Sequence, residues 1–112
     1  MEYFTKLSNT KKIVAVVVVA VSYVAFVALK PKRVLLFYSD NCGHCQAFKP
    51  EWALIKEKLP TAEYNCGEGD QAMCKSYGIT GYPTIMVEKG FTRREYSGQR
   101  TLDNIKSFYD SV

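Results

Sequence analysis

This sequence has no excess of glycine or proline, and most of its length has no excess of basic charge. The 112 residues include 7 Gly and 4 Pro, whereas 47% are hydrophobic and 13% are aromatic. This composition excludes both an intrinsically disordered chain and a fibrous repeat. The length is that of one small domain.

The net charge of +4 is distributed unevenly along the chain. Residues 1–33 contain six Lys or Arg and one Glu, whereas residues 34–112 contain nine Lys or Arg and ten Asp or Glu. A nucleic-acid-binding surface needs a basic stripe on the folded part of the chain. Because residues 34–112 have no such excess, we expect no nucleic-acid partner.

Residues 13–29 form a run without charge, glycine or proline. As a helix, these 17 residues would span about 26 Å, near the lower limit for crossing a bilayer. The alternative is a cleaved signal peptide, but the run is long for one and no small-residue cleavage motif ends it. We therefore predict one transmembrane helix, with the lipid bilayer as a partner. Basic side chains that can reach the polar interface flank it on both sides: Lys11, Lys12, Lys30, Lys32 and Arg33.

After a short tether, residues 30–33, the pattern predicts alternating strands and helices. A continuous apolar run predicts a buried first strand, and apolar residues spaced by four, three and four predict the long helix, in which Pro50 should produce a kink. Thr101 should cap the last helix. The β-α-β-α-β-β-α order predicts an α/β fold with a four-stranded mixed sheet, whose first two strands are parallel. The predicted strands are 34–38, 62–66, 84–87 and 93–96, and the predicted helices are 43–59, 70–77 and 101–109.

Cys42 and Cys45 are separated by Gly43 and His44, at the junction between the first predicted strand and the long helix. There the first thiol faces the helix N-terminus, whose unpaired amides and dipole stabilise a thiolate. The second thiol is placed to resolve a mixed disulfide. A protonated His44 adds positive charge beside the thiolate, which makes the disulfide a stronger oxidant. The pattern predicts a redox-active pair that needs no further cofactor.

Two other interpretations of the cysteines are open. All four could form a zinc site, although seven residues separate Cys66 from Cys74, where a zinc ribbon usually has two. Cys42 and Cys45 could also be inert buried cysteines, which their position at a strand–helix junction disfavours. We expect no metal.

Three stretches of the sequence resemble thioredoxin-fold domains of the protein disulfide isomerase type. The resemblance covers residues 34–110 and implies a thiol–disulfide oxidoreductase with a thioredoxin-like fold, in which Cys42 attacks and Cys45 resolves. The stretches are FYSDNCGHCQAFKPEW, CKSYGITGYPTIMVEKG and YSGQRTLDNIKSF.

The resemblance also implies roles for residues outside the CGHC motif. The Tyr82–Pro83 bond should be cis, and the backbone near Pro83 should pair with an extended substrate. Arg100 matches an arginine that swings toward the resolving cysteine in this family and lowers its pKa. By position alone, Pro83 would be a proline that starts a strand, and Arg100 would be a solvated loop residue.

The chain departs from the family's pattern in three respects. The Pro-Trp that precedes the first cysteine in the family is Asp40-Asn41 here. The usual first strand and first helix of a full domain are missing, so we expect a truncated fold. The buried glutamate that relays protons to the resolving cysteine is replaced by Leu36, and its partner lysine by Glu63. We therefore predict that Glu63 acts as the relay, partly buried near Cys45 and with a raised pKa.

Cys66 and Cys74 form a second pair. Some family members have a structural disulfide at nearly this place, and a domain of about 80 residues gains most from one; the alternative is two free thiols. Two disulfide-capable pairs favour an oxidising compartment. Because both flanks of the apolar run are basic, charge does not set its orientation. The oxidising compartment sets the orientation instead. Residues 1–12 should be cytosolic, and residues 34–112 should lie on the extracytoplasmic or lumenal side.

Together these inferences predict a membrane-anchored oxidase or isomerase that acts on cysteine-containing proteins. A second hypothesis is a structural protein of a membrane-containing virus particle or another assembly, with neighbouring proteins as partners and little catalysis. A third is a module that binds extended chains beside Pro83. Insulin reduction, assayed with and without Cys42, separates the first hypothesis from the other two.

Overall fold

The computed structural model describes residues 9–112, which divide between residues 30 and 31 into two compact units. Among its described residues, the first unit has one helix, α1, Asn9–Ala28, none of whose residues is buried. Among the described residues, α1 is the one helix long and apolar enough to cross a membrane. Of the predicted N-terminal segment, residues 1–8 lie outside the described residues, and residues 9–12 belong to α1.

The second unit, Pro31–Val112, contains four strands and three helices. The predicted β-α-β-α-β-β-α order is confirmed, and no bound differs from its prediction by more than two residues. The strands are β1 (Arg33–Tyr38), β2 (Thr61–Asn65), β3 (Thr84–Lys89) and β4 (Thr92–Glu95). The helices are α2 (Gly43–Lys58), α3 (Gln71–Ser76) and α4 (Leu102–Ser111).

The four strands form one mixed sheet, as predicted, and their order in the sheet is β2-β1-β3-β4. β1 and β2 are parallel, and α2 lies in the long connection that parallel neighbours require. β3 is antiparallel to β1, and β4 is antiparallel to β3. The C-terminal end of β1 therefore lies beside the N-terminal end of β3, and this edge of the sheet carries the cysteine motif.

One side of the sheet, which we call the helical face, is covered by α2 and α4. α2 runs continuously through Pro50, and its buried residues recur every three or four positions, so they share one side of the helix. Glu51 on α2 accepts a hydrogen bond of 3.0 Å from the amide of Leu102, and the Thr101 hydroxyl caps α4, as predicted. The buried cluster of this face contains Val34, Leu36, Phe48, Trp52, Ile55, Ile85, Val87 and Ile105.

The opposite side, which we call the tyrosine face, has a different cover. Its buried cluster contains Leu35, Phe37, Cys66 and Cys74, and α3 is the only helix of the described domain that contributes to it. The Phe37 ring lies 5.3 Å from that of Tyr64 and 5.1 Å from that of Tyr77, centroid to centroid. Two tyrosine rings thus cover residues that would otherwise be exposed to water.

A buried carboxylate belongs to the same face. Glu88 on β3 is 5% exposed and accepts hydrogen bonds from Arg33 Nη2 at 3.2 Å and from the Tyr77 hydroxyl at 2.5 Å. Arg93 Nε lies 3.5 Å from the same carboxylate, and its guanidinium is 4.0 Å from the Tyr77 ring centroid. Burial of a charge is costly unless the charge is paired and hydrogen-bonded, and these contacts supply both.

Candidate functional site

Cys42 occupies the N-cap of α2. β1 ends at Tyr38, a short turn follows, and Cys42 adopts an extended backbone with φ −92° and ψ 115° before the first helical residue. Its Sγ accepts a hydrogen bond of 3.1 Å from the amide of Cys45. The first amides of a helix have no partner within the helix, and a sulfur at this place satisfies one of them. The same donor and the helix dipole would favour the thiolate of Cys42 after reduction.

The two cysteines of the motif differ in exposure. They are joined as a disulfide with Cα atoms 5.2 Å apart. Cys45 is 5% exposed, whereas Cys42 is half-buried. An incoming sulfur can therefore reach Cys42 more easily than Cys45, which suits the predicted division into attacking and resolving thiols.

The Tyr82–Pro83 bond is cis. Pro83 is buried, Tyr82 is 43% exposed, and the hydroxyl of Thr84 donates a hydrogen bond of 2.7 Å to the carbonyl of Gly81. Thr84 pairs with Phe37 near the end of β1. The topology thus brings the cis proline to the edge of the sheet that carries Cys42.

A cavity of about 110 Å³ has the buried Cys45 in its wall. A cavity of this size with several polar groups in its wall can hold water. Leu36 and Glu63, two of the positions where the chain departs from the family's pattern, both belong to its lining. The other lining residues are Tyr38, Asp40, Cys45, Phe48, Lys49 and Trp52.

Glu63 is more open to solvent than the sequence predicts. Its side chain is 40% exposed, and its Oε1 accepts a hydrogen bond of 2.9 Å from Lys56 Nζ. Its Oε2 accepts a hydrogen bond of 3.3 Å from Trp52 Nε1. Both donors lie on α2, four residues apart, so one side of that helix holds the carboxylate. The sequence analysis missed Trp52 and Lys56, because their spacing on a predicted helix places them on one side of it but does not show which strand residue they face.

Tyr38 is another ionisable group in the cavity wall. Burial raises its pKa, and the negative charges of Glu63 and Asp40 raise it further. The Tyr38 hydroxyl therefore stays protonated at neutral pH, where it can donate a hydrogen bond but cannot serve as a base.

His44 and Arg100 lie away from this cavity. Both are exposed, and they line a second depression with Ala47, Phe48 and Glu51. In this arrangement Arg100 is not in the wall that Cys45 shares with Glu63. Gly43 is also exposed, and a Cβ added to it would meet no atom within 4 Å.

Cys66 and Cys74 are joined as a second disulfide, with Cα atoms 5.7 Å apart. Both residues are buried in the tyrosine face, where they connect the end of β2 to α3. All four cysteines are thus paired with each other. Among residues 9–112, no three His, Cys, Asp or Glu side chains form a group that could hold a metal ion.

The Thioredoxin family model matches residues 13–111, and the chain belongs to this family. The match begins within α1 and continues through the CGHC motif, the cis proline and α4. Residues 42–45, 63, 66, 74, 82, 83 and 100 all lie inside it.

Several curated relatives are similar to this chain. Protein disulfide-isomerase A4 of Bos taurus is 36% identical over 87 residues, which cover 71% of this chain and 13% of that protein. Protein disulfide-isomerase-like protein EhSep2 of Emiliania huxleyi is 34% identical over 86 residues, which cover 67% of this chain and 37% of that protein. The chain therefore spans a minor part of the length of these relatives.

Solved structures show the same fold. The first thioredoxin domain of mouse Protein disulfide-isomerase A4 superposes with a TM-score of 0.64 at 29% identity, over 80% of this chain and 68% of that one. The J-Trx1 fragment of ERdj5 gives a TM-score of 0.68 at 24% identity, over 80% of this chain and 46% of that one. The predicted thioredoxin-like fold is thereby confirmed.

Proposed function

We propose that this protein is a membrane-anchored thiol–disulfide oxidoreductase that acts on cysteine-containing proteins. The observation that carries the proposal is the Cys42–Cys45 disulfide at the start of α2, with Cys42 accessible and bonded to a helical amide and Cys45 buried behind it. The family membership and the similarity to proteins named protein disulfide-isomerases support the same chemistry.

The reaction consists of two exchanges at sulfur. In the reducing direction, the Cys42 thiolate attacks a disulfide of the substrate protein and releases one substrate thiolate. The Cys45 thiolate then attacks Cys42 Sγ, releases the second substrate thiolate and closes the Cys42–Cys45 disulfide. Two electrons pass from the dithiol to the substrate, and the reverse sequence oxidises a substrate dithiol. Isomerisation occurs when another substrate thiol releases Cys42 before Cys45 does.

Substrate binding is assigned to the backbone around Tyr82 and Pro83. The cis proline lies at the edge of the sheet that carries Cys42, and Tyr82 offers an exposed aromatic surface beside it. An extended segment on either side of a substrate cysteine would fit this place. His44, exposed beside Cys42, would add positive charge when protonated and so favour the reduced form.

We assign to Glu63 the transfer of the proton that Cys45 gains or loses. Glu63 and Cys45 line the same water-sized cavity, and Trp52 and Lys56 hold the Glu63 carboxylate by hydrogen bonds. Replacing Glu63 by Gln should slow release of a mixed disulfide by Cys45 by about 100-fold, the lower end of general acid–base effects, while alkylation of Cys42 should change little. Glu57→Gln, an exposed change on α2, is the matched control and should leave both rates unaltered. Equal rates for Glu63→Gln and the control would show that Cys45 exchanges its proton directly with solvent.

The anchor is assigned to α1, and the compartment to the oxidising side of the membrane. α1 is apolar, unburied and flanked by lysines. Two disulfides in one small domain fit an oxidising compartment. Residues 34–112 would then be extracytoplasmic or lumenal, with the N-terminus in the cytosol.

Trapping of substrates tests the proposal. Cys45→Ala removes the resolving thiol, so mixed disulfides through Cys42 should accumulate and be isolated with their partner proteins. The double variant Cys42→Ala with Cys45→Ala is the control and should capture none. If a folded, correctly localised Cys45→Ala protein captures no partner and the parent does not reduce insulin, the protein is not an oxidoreductase, and a structural role in a membrane assembly replaces this proposal.

A further inference from the structure

The turn between β3 and β4 carries the most exposed large hydrophobic side chain of the domain. Phe91 is 64% exposed. Gly90 adopts a positive φ of 59°, which allows a tight two-residue turn and places Phe91 at its tip. A single exposed aromatic residue needs no explanation by itself, but this one has basic neighbours.

Within residues 89–94, Phe91 has three basic neighbours. Lys89, Arg93 and Arg94 surround Phe91 and are all exposed. Arg93 is partly neutralised because it lies 3.5 Å from Glu88 Oε2. The turn therefore combines an apolar tip with a basic rim, and we call residues 89–94 the basic turn.

The register of the sheet places the basic turn beside the point where the chain enters the domain. Arg33, the first residue of β1, pairs with Glu88, and β3 continues beyond Arg33 through Lys89 to the turn. At about 3.3 Å per residue, the tip projects on the order of 7–10 Å past the start of β1. It projects at the end of the domain where residues 31 and 32 precede β1.

Little free chain separates the start of β1 from the end of the apolar run. Lys32 Nζ donates a hydrogen bond of 2.9 Å to the carbonyl of Tyr109, and the Tyr109 hydroxyl donates one of 3.1 Å to the carbonyl of Lys32. Lys32 is thus fixed to α4, and residues 30 and 31 remain as the link. Two residues span about 7 Å at most. If residues 13–29 cross a bilayer, this end of the domain lies next to its headgroups.

The charges at this end of the domain are mainly positive. The parallel and antiparallel pairings bring Lys32, Arg33 and Lys58 to the same end as the basic turn. The acidic residues there are Glu57, Glu88 and Asp110, of which Glu88 is paired with Arg33 and Arg93, and Asp110 with Lys106. The net charge facing the tether is therefore positive.

We propose that the basic turn docks on the membrane surface, with the Phe91 side chain in the headgroup region and Lys89 and Arg94 against anionic lipid. The inference rests on the proposed anchoring by α1. An apolar tip with a basic rim is the chemistry by which peripheral segments bind an anionic interface. Docking would hold the sheet with its cysteine-bearing edge, at the opposite end of β1 and β3, away from the bilayer.

The test uses the full chain reconstituted into vesicles whose lipids carry bromine near the headgroup. Phe91→Trp introduces a fluorophore at the tip, and Met73→Trp, at a 40% exposed position on α3, is the matched control. The parent protein, whose single Trp52 is buried, gives the background. With phosphatidylserine present, position 91 should be quenched and position 73 should not. Quenching that is equal at the two positions, or equal in pure phosphatidylcholine, overturns the proposal.

Charge reversal provides the second readout. Each basic residue near an anionic surface shifts the docked-to-undocked ratio by about fivefold, so Lys89→Glu with Arg94→Glu should abolish the quenching at position 91. Lys75→Glu, on α3, should leave it unchanged. If the protein does not float with the vesicles, the anchor itself is absent, and the proposals of anchoring and of docking both fail. If it floats but position 91 is unquenched, docking alone fails and anchoring stands.

Discussion

The two faces of the sheet are covered by different means. On the helical face, two helices supply aliphatic and aromatic side chains at helical spacing, and many residues share the burial of Val34 and Leu36. On the tyrosine face, Leu35 and Phe37 are covered by a six-residue helix, two tyrosine rings and one disulfide. The ion cluster of Glu88 with Arg33 and Arg93 belongs to the same face. The comparison shows that a few large rings and a covalent link can replace a helical layer in a small domain.

The difference has an energetic consequence. Where many side chains share a layer, loss of one leaves the others to relax around the gap, whereas a layer of few members has less capacity to do so. The tyrosine face should therefore be the more sensitive of the two to single substitutions. Three predictions test this comparison, beginning with the largest expected effect.

The largest effect is expected from truncating Phe37. Phe37→Ala removes a fully buried ring in contact with both Tyr64 and Tyr77, and should lower the free energy of unfolding by about 3–5 kcal/mol. Phe48→Ala, on the helical face, is the matched truncation, since Phe48 is 4% exposed and its ring pairs with Trp52 alone among the described residues. Urea unfolding of both variants measures the difference. A cost for Phe48→Ala equal to or greater than that for Phe37→Ala would contradict the comparison.

The next effect concerns the covalent link of the tyrosine face. Replacing Cys66 and Cys74 together by alanine opens a loop with a sequence separation of 8, which should cost about 2–3 kcal/mol. Replacing Cys42 and Cys45 together opens a loop with a separation of 3 and should cost less. Peptide mapping without reduction should also recover the linked Cys66 and Cys74 peptides from native protein. Quantitative alkylation of both thiols, or equal costs for the two double variants, would refute the structural role of this disulfide.

The sequence predicts the strands and helices of both faces, but it predicts the residues that cover the sheet only for the helical face. Strand and helix periods and the cysteine motif are local patterns, so they identify the order of elements and the place of Cys42 and Cys45. Resemblance to a family supplied the cis Tyr82–Pro83 bond and the Cys66–Cys74 pair, which no local pattern determines.

Long-range register explains what the sequence did not predict. Arg33, Glu88 and Arg93 come from three strands, and their meeting depends on how those strands pair. The hydrogen bonds that Trp52 and Lys56 donate to Glu63 depend on both the crossover geometry and the spacing of the two donors along α2. For the same reason, the greater exposure of Glu63 could not be derived from its position on a predicted strand.

The smallest effect concerns Tyr77, which links the ring stack to the buried carboxylate. Burial raises the pKa of Tyr77, and its hydrogen bond to Glu88 raises it further. Because the folded protein favours the protonated hydroxyl, the stabilisation is complete below the unfolded tyrosine pKa of about 10 and is lost as pH rises through the higher folded value. Stability should therefore fall in this alkaline range.

Tyr77→Phe removes the titrating group and its hydrogen bond. At neutral pH it should cost about 1 kcal/mol, less than most bonds to a carboxylate because Arg33 and Arg93 still pair with Glu88. Above pH 10 the variant should lose less stability than the parent, so the two unfolding midpoints should converge. Tyr82→Phe, an exposed tyrosine outside the tyrosine face, should run parallel to the parent at every pH. Parallel behaviour of Tyr77→Phe would mean that the ring alone, without its hydroxyl, covers Phe37, and the ion cluster would then be independent of the aromatic stack.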